Sequence, residues 1–354
     1  MNLKYTDVSM QYDFHNKNVL VTGGASFIGS HLTDALVSKG AHVRVVDDFS
    51  SGERSNLDQS IEEIELIEGD LRDYDVCVQS TKSIDIVFHL ANIHGGRGFI
   101  ETHPAEISQN LVIDGNMLRA SLKNNIKHFC YTSSACVYPT NLQVADKSQQ
   151  ERFLSEEMAD PFVKNAARAD GEYGWAKLMG EMALAAYGKQ FGMQGVSCRL
   201  FTVYGPRENE SHAIIAFIAK ALIKQDPYEI WGTGKQDRNF TYVADVVEGL
   251  LRAAGSISDC RAVNIGTDEI IEIGKAAKTV CEIIGHEPSK FFFDTTKPEG
   301  VHARAASIRN QIDWLNWQPT TPFNEGIRET IEWYQGHADI EQLKENLEVK
   351  LFER

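Results

Sequence analysis

Three short stretches carry side chains capable of proton chemistry: SSACVYP at 133–139, YGWAK at 173–177 and ENESHAIIAFIAK at 208–220. In the second, Tyr173 and Lys177 are four residues apart, which puts them on one face of a helix. An ammonium beside a phenol lowers a pKa that is ordinarily about 10 and makes the phenol a usable proton acceptor. By itself this spacing is common and equally fits an exposed pair. Its chemical meaning depends on Ser134, a hydroxyl at the end of the apolar run HFCYT, and on Cys136 two residues further on. A thiolate beside a cationic neighbour is a base. His212 opens an apolar helical segment, and an imidazole with a pKa of about 6.5 suits proton delivery at neutral pH. The rival reading of His212 is a surface histidine at a helix start.

A second constellation suits an anion. The apolar run NVLVT leads straight into TGGASFIGSHL at 22–32, where Gly23, Ser26 and Gly29 occupy a GxxGxxG frame between a strand and a helix. Backbone at such a turn approaches a dinucleotide pyrophosphate, and the helix start offers N–H groups to it. Ser26 stands where the frame has its middle glycine, and its hydroxyl can itself donate to phosphate. Phe27 and Ile28 complete the loop. The next apolar run ends in Asp47 and Asp48, about 20 residues on, where a carboxylate accepts from a ribose hydroxyl and repels a 2′-phosphate. The cofactor expected is therefore NAD and not NADP.

These residues need a scaffold, and the apolar pattern supplies one. NVLVT, AHVRVVD, IELIEGD, DIVFHLA, HFCYTSS and GVSCRLF are short runs rich in Val, Ile and Phe, and most are separated by helical segments such as HLTDALVSKG. That alternation predicts an α/β fold: a Rossmann-type doubly wound parallel sheet with a smaller C-terminal substrate domain. The expected division is an N-terminal arm at 1–16 on the surface, an NAD-binding domain at 17–200, a nucleotide-sugar-binding domain mainly at 201–336, and a charged helical tail at 337–354. The tail reads as solvated, with partner docking as its alternative.

With glycine loop, acidic pair, strand-end serine and YxxxK in order, the chain resembles the extended short-chain dehydrogenase/reductase family, whose members act on nucleotide sugars. The resemblance spans roughly 17–336. It implies Ser134 and Tyr173 as partners in hydride transfer from a sugar hydroxyl, with Lys177 also holding the nicotinamide ribose. It extends the cofactor site to Asp70 and Leu71 of GDL, and to Leu90 and Ala91. Dehydratases of the family carry Asp–Glu where this chain has Ala135–Cys136. A cysteine there is similar to the GDP-mannose 3,5-epimerase and GDP-fucose synthase branches, in which it exchanges a proton beside a 4-ketone. The second branch has histidine, and the first lysine, at the place of His212.

The GDP-mannose 3,5-epimerase branch is the better match elsewhere. ANIHGGRGFIETHP implies substrate contacts at Gly95 and Gly96, and WGTGKQDRNFTYVADVVEG implies a diphosphate site with Gln236 and Arg238. Lys220 and Arg304 match further substrate-binding positions. Thr202 and His302 depart from the branch, replacing asparagine and arginine. The function expected is NAD-dependent inversion of C3, C5 or both on a nucleotide-diphosphate sugar, GDP-linked, through a transient 4-ketone. Rivals are a UDP-sugar 4-epimerase, an NADPH-dependent epimerase/reductase and a non-catalytic nucleotide-sugar or NAD-binding protein. Helices around 104–124 and 173–192 are expected to form a homodimer contact, as in the family.

Bulk properties agree with this class. The chain has 354 residues and a net charge of −15, so nucleic acid is not the expected partner. The opening MNLKYTDVSM lacks a signal-peptide pattern and no apolar run reaches membrane-spanning length, so the chain reads as cytoplasmic with no membrane partner. The six cysteines show no CxxC pair and no histidine cluster, so neither a metal site nor a disulfide framework is expected.

Overall fold

The computed structural model describes residues 13–144, 148–162 and 168–351. Seven strands build the central sheet: β1 Asn18–Thr22, β2 His42–Asp47, β3 Ile64–Glu68, β4 Ile86–His89, β5 His128–Ser134, β6 Gln194–Leu200 and β7 Ala262–Ile265. All pair in parallel, in the order β7–β6–β5–β4–β1–β2–β3. Their near-continuous apolar runs follow from burial on both faces. The helices include α1 (Phe27–Ser38), α2 (Tyr74–Ser80), α3 (Arg97–Thr102), α4 (Asn110–Lys123), α5 (Gly171–Phe191), α6 (Ala213–Leu222), α7 (Val243–Ser256), α8 (Ile273–Ile284), α9 (Phe323–His337) and α10 (Ile340–Lys350). One face of the sheet packs Leu32 and Leu36 of α1 with Val246 and Leu250 of α7; the other packs Cys77 of α2, Met117 of α4 and Leu184 of α5. The sheet is therefore doubly wound, as its alternating pattern predicts.

Six strands were legible as apolar runs; the seventh was not. Four residues, AVNI, pair with β6 from Ala262↔Ser197 to Ile265↔Leu200. The chain thus returns to the central sheet through α7 and β7 after leaving it at residue 200. The smaller region gathers α6, α8, α9 and α10 around Tyr228, Ile230 and Phe240.

Residues 1–12 of the expected arm and 352–354 of the tail lie outside the described residues; the described parts of both pack more closely than their polarity suggests. Phe14, at the end of the expected surface arm, is buried, with its ring 6.1 Å from that of Phe88. The charged tail forms α10, whose Leu343 and Leu347, together with Leu351, lie in the smaller region's core. An i, i+4, i+8 apolar stripe gives this helix a face to bury despite its charge, so the solvated reading does not hold for it. Among the described residues, no helix is long and apolar enough to cross a membrane.

Strand order reverses at β1, which lies between β2 and β4. Crevices at such a point receive ligands beyond the carboxyl ends of the strands. The glycine turn follows β1, Leu90–Ala91 follows β4, and Ser134 ends β5.

Candidate active site

At this reversal lies a cleft of roughly 1070 Å³ that runs between the sheet and the smaller region. Its floor is the glycine turn. Gly23 sits at φ +68°, and a Cβ there would stand 3.0 Å from the backbone of Ala91. A Cβ on Gly29 would stand 2.0 Å from the carbonyl oxygen of Gly23, so only glycine lets α1 start against the turn. Ser26 is extended, at φ −85° and ψ 177°, a conformation any residue adopts. The missing middle glycine therefore costs the loop nothing in backbone strain. Asp47 is buried at the end of β2 and accepts from the N–H groups of Ala25 and Phe49, both at 2.9 Å, so it braces the loop as well as facing the cleft. Asp48 is exposed and accepts from Ser50. Phe27, Ile28, Asp70, Leu71, Leu90 and Ala91 line the same wall.

β5 is buried along its length and surfaces only at Ser134. The short turn Ala135–Val137 that follows delivers Cys136 to the cleft. Opposite, α5 begins at Gly171 and carries Tyr173 and Lys177 on its buried face, 6% and 1% exposed. Lys177 Nζ donates to the Thr132 carbonyl at 2.9 Å and lies 5.9 Å from the centre of the Tyr173 ring. Burial lowers the Lys177 pKa, and Asp114 and Glu181 only partly oppose it. The Tyr173 phenol is driven up by burial and by Cys136, with the Ser134 hydrogen bond working the other way. The net direction is upward, opposite to the lowering expected from Lys177. Activating the phenol needs further positive charge in the cleft.

Cys136 is the one partly exposed cysteine; the other five are buried. Arg304 Nη1 donates to its Sγ at 3.2 Å. The same guanidinium donates from Nε to Gln143 Oε1 at 2.6 Å and from Nη2 to Asp170 Oδ2 at 2.8 Å. Asp170 stands at the N-cap of α5, yet its carboxylate makes no capping bond. Instead it holds Arg304 and, at 3.1 Å, Arg97. Burial works against its charge, but Arg304 and Arg97 hold it below the usual carboxylate range. Arg238 also lines the cleft, its pKa pushed down to about 10 by burial and by Arg304.

His212 stands at the N-cap position of α6 in the same cleft, with no capping bond from its side chain. Its ring stacks at 16° on that of His94, 5.4 Å away, and His94 in turn lies 4.6 Å from the Tyr173 ring. Burial pushes the His212 pKa down to about 4, although 32% of its side-chain surface remains open.

Gly95, Gly96 and Thr202 also line the cleft, whereas two expected substrate contacts do not. Lys220 is buried and bonded to the Glu229 carboxylate at 3.0 Å. Gln236 is buried beneath Trp231, donating to its carbonyl at 3.3 Å. Both follow short patterns that fix a place along an element but not the side it presents. Sequence reasoning missed His94, Arg97, Asp170 and Gln143. His94 and Arg97 lie inside the quoted ANIHGGRGF stretch, so their types were visible there. Asp170 and Gln143 gave no signal, because their role comes from Arg304, more than a hundred residues away.

Residues 19–266 match the model of the NAD dependent epimerase/dehydratase family. The chain belongs to that family. It is 34% identical to GDP-mannose 3,5-epimerase 1 of Oryza sativa subsp. indica over 92% of this chain and 83% of that protein. It is 28% identical to UDP-glucuronic acid decarboxylase 1 of Xenopus tropicalis, over 94% and 75% respectively. Among solved structures, UDP-glucose 4-epimerase of Thermotoga maritima with UDP-glucose superposes with a TM-score of 0.79 at 27% identity, covering 90% of this chain and 99% of that one. The protein is an enzyme of the nucleotide-sugar epimerase/dehydratase class that uses NAD. The cradle fits that cofactor: glycine at 23 and 29 lets the turn close tightly ahead of α1, and the Asp47 carboxyl lines the cleft at the end of β2, where it would accept from a ribose hydroxyl.

Proposed function

We propose that this enzyme inverts C3, C5 or both of a GDP-linked sugar through a transient 4-ketone. The observation that carries the reading is the Arg304 contact to Cys136 in a cleft that also holds His212. A guanidinium can only donate, so the sulfur accepts, and a fixed cation stands beside the thiol that the reading makes the base. Held by the glycine turn and Asp47, NAD would supply reversible hydride acceptance at C4 of the sugar. Tyr173 accepts the proton of the C4 hydroxyl, and Ser134 donates to the forming carbonyl oxygen. That carbonyl acidifies the hydrogens on C3 and C5, because removing either leaves a delocalised enolate. Cys136 takes a proton from one face of the ring and His212 returns one to the other, or the reverse. Arg238 holds the diphosphate. The 34% identity to a GDP-mannose 3,5-epimerase supports both the chemistry and the nucleotide.

Incubation with GDP-mannose-type sugars in deuterated water tests the reading. Deuterium is expected at C3 or C5, with no net consumption of NAD. Absence of label from every accepted sugar would reject it. Cys136→Ala is expected to keep NAD and substrate binding while exchange falls by about 10²- to 10⁴-fold, the range for losing a general base. Likeness to a UDP-glucose 4-epimerase supports a second reading, inversion at C4 alone, in which Cys136 has no chemical task. A product inverted at C4 without carbon-bound deuterium would establish it.

A further inference from the structure

His212 presents a difficulty that its neighbourhood resolves. Burial keeps its imidazole uncharged near neutral pH, yet the proposed cycle asks it to give a proton. Nδ1 faces three oxygens from one short segment: Asn209 Oδ1 at 3.3 Å, Ser211 Oγ at 3.4 Å and Glu208 Oε1 at 3.6 Å. Nε2 has no hydrogen-bond partner among the described residues and is the ring nitrogen left for a substrate. Of the three oxygens only the carboxyl of Glu208 can hold and release a proton near neutral pH. Glu208 lines the cleft, its side chain is 3% exposed, and its Oε2 is buried without a hydrogen-bond partner. A carboxylate so placed is costly, whereas a carboxylic acid is not.

We infer that Glu208 is the proton-holding and positioning partner of His212, so that the two act as a dyad in which the imidazole need not become a cation. The inference rests on the proposed C3/C5 epimerisation. As the enolate carbon is protonated, the Nε2–H bond breaks and the enolate electron pair becomes the new C–H bond. At the same time the Glu208 O–H bond breaks and Nδ1–H forms. Glu208 ends as carboxylate and His212 ends neutral in its other tautomer; Cys136 holds the proton removed from the opposite face. Exchange of both groups with solvent resets the pair. Burial raises the carboxyl pKa of Glu208 well above its usual range, only partly opposed by the Gly205 N–H, which agrees with a loaded acid at rest. The 3.6 Å separation is longer than a hydrogen bond, and catalytic contacts of this kind shorten when substrate fills the site. Other titratable groups along this side are His94, stacked on His212, Tyr173 beyond it, and Arg207 and Glu210 of the same segment.

The test compares the wild type with Glu208→Gln and Glu208→Asp, each loaded with NAD and an accepted sugar in deuterated water. Wild type that oxidises C4 but incorporates no deuterium ends the epimerase reading itself, before the dyad is judged. With exchange present in wild type, Glu208→Gln is expected to lose at least about tenfold in carbon-bound exchange. KM should stay within about twofold and reduction of NAD at the C4 step should be unchanged, with partial recovery in Glu208→Asp. Full exchange in Glu208→Gln overturns the dyad, as does a parallel loss of NAD reduction and exchange. Should neither variant fold, nitrogen NMR of wild-type His212 decides. A neutral ring from about pH 5 to 8 supports the dyad, and an imidazolium in that range overturns it.

Discussion

Arg304 makes the site's central contact because its fork has three acceptors at once: Cys136, Asp170 and Gln143. The fork geometry, and not merely the charge, is what the arrangement uses. Arg304→Lys keeps the positive charge but cannot reach all three groups. Hydrogen bonds to charged groups contribute about 1.5–3 kcal/mol, so deuterium exchange at the sugar should slow by about 10- to 100-fold. Initial rates of label uptake check this, and an unchanged rate would show that charge alone suffices. Arg97 acts one step further out, sharing Asp170 with Arg304 and so limiting how Asp170 can turn.

At the scale of elements, the start of α1 and the start of α5 do most of the positioning. α1 can begin against the turn only because position 29 has no side chain, since a Cβ would meet the Gly23 carbonyl oxygen at 2.0 Å. Gly29→Ala is expected to force the helix away from the turn, abolish thermal stabilisation by NAD and lower the melting temperature without NAD as well. Retained stabilisation by NAD would show that the turn accommodates the methyl. α5 is seated similarly: a Cβ on Gly174 would stand 2.2 Å from the Cys136 carbonyl oxygen, so this glycine lets the Tyr173 face approach the cysteine turn. α10 contributes from farther off, its Lys350 pairing at 3.1 Å with Glu210, two residues before His212.

Across the whole molecule, burial of neutral histidines makes stability depend on pH. His31 is held down to about 3 by burial and by Arg207, and His128 down to about 4 by burial. The unfolded chain titrates these groups near 6.5, so between that value and about 4 the unfolded state binds more protons than the folded one. Their contribution is therefore complete above about pH 6.5 and declines as the solution becomes more acid. The urea midpoint should fall between about pH 7 and 4.5, and a midpoint that rises over that interval would contradict these assignments. The molecular surface carries a second expectation. Leu111 and Val112 on α4, and Trp175 and Met179 on α5, are exposed apolar side chains on the two helices proposed for dimerisation. Trp175→Glu is expected to yield a monomer in sedimentation equilibrium, while a dimer of undiminished affinity would move the interface elsewhere.

Local information determined much of this protein. The glycine frame, the strand ending in Asp47, the serine at the end of β5 and the i, i+4 tyrosine and lysine are all set by neighbours in the chain. So is the alternation that makes the sheet parallel and doubly wound. Each depends on backbone conformation or a short repeat, which a few adjacent residues decide. Tertiary structure alone decided the rest. β7, AVNI, has Asn264 within its four residues and no long apolar run to announce it, and it pairs along the edge that β6 offers. Lys220 and Gln236 fell on recognisable stretches yet do not line the cleft, since packing chooses which side of an element is buried. Cys136 gains its partner from Arg304 and His212 meets Tyr173 through His94, across separations that no local pattern records. Proton chemistry depends on which groups share a dry cavity, and desolvation and charge pairing act through space and not along the chain.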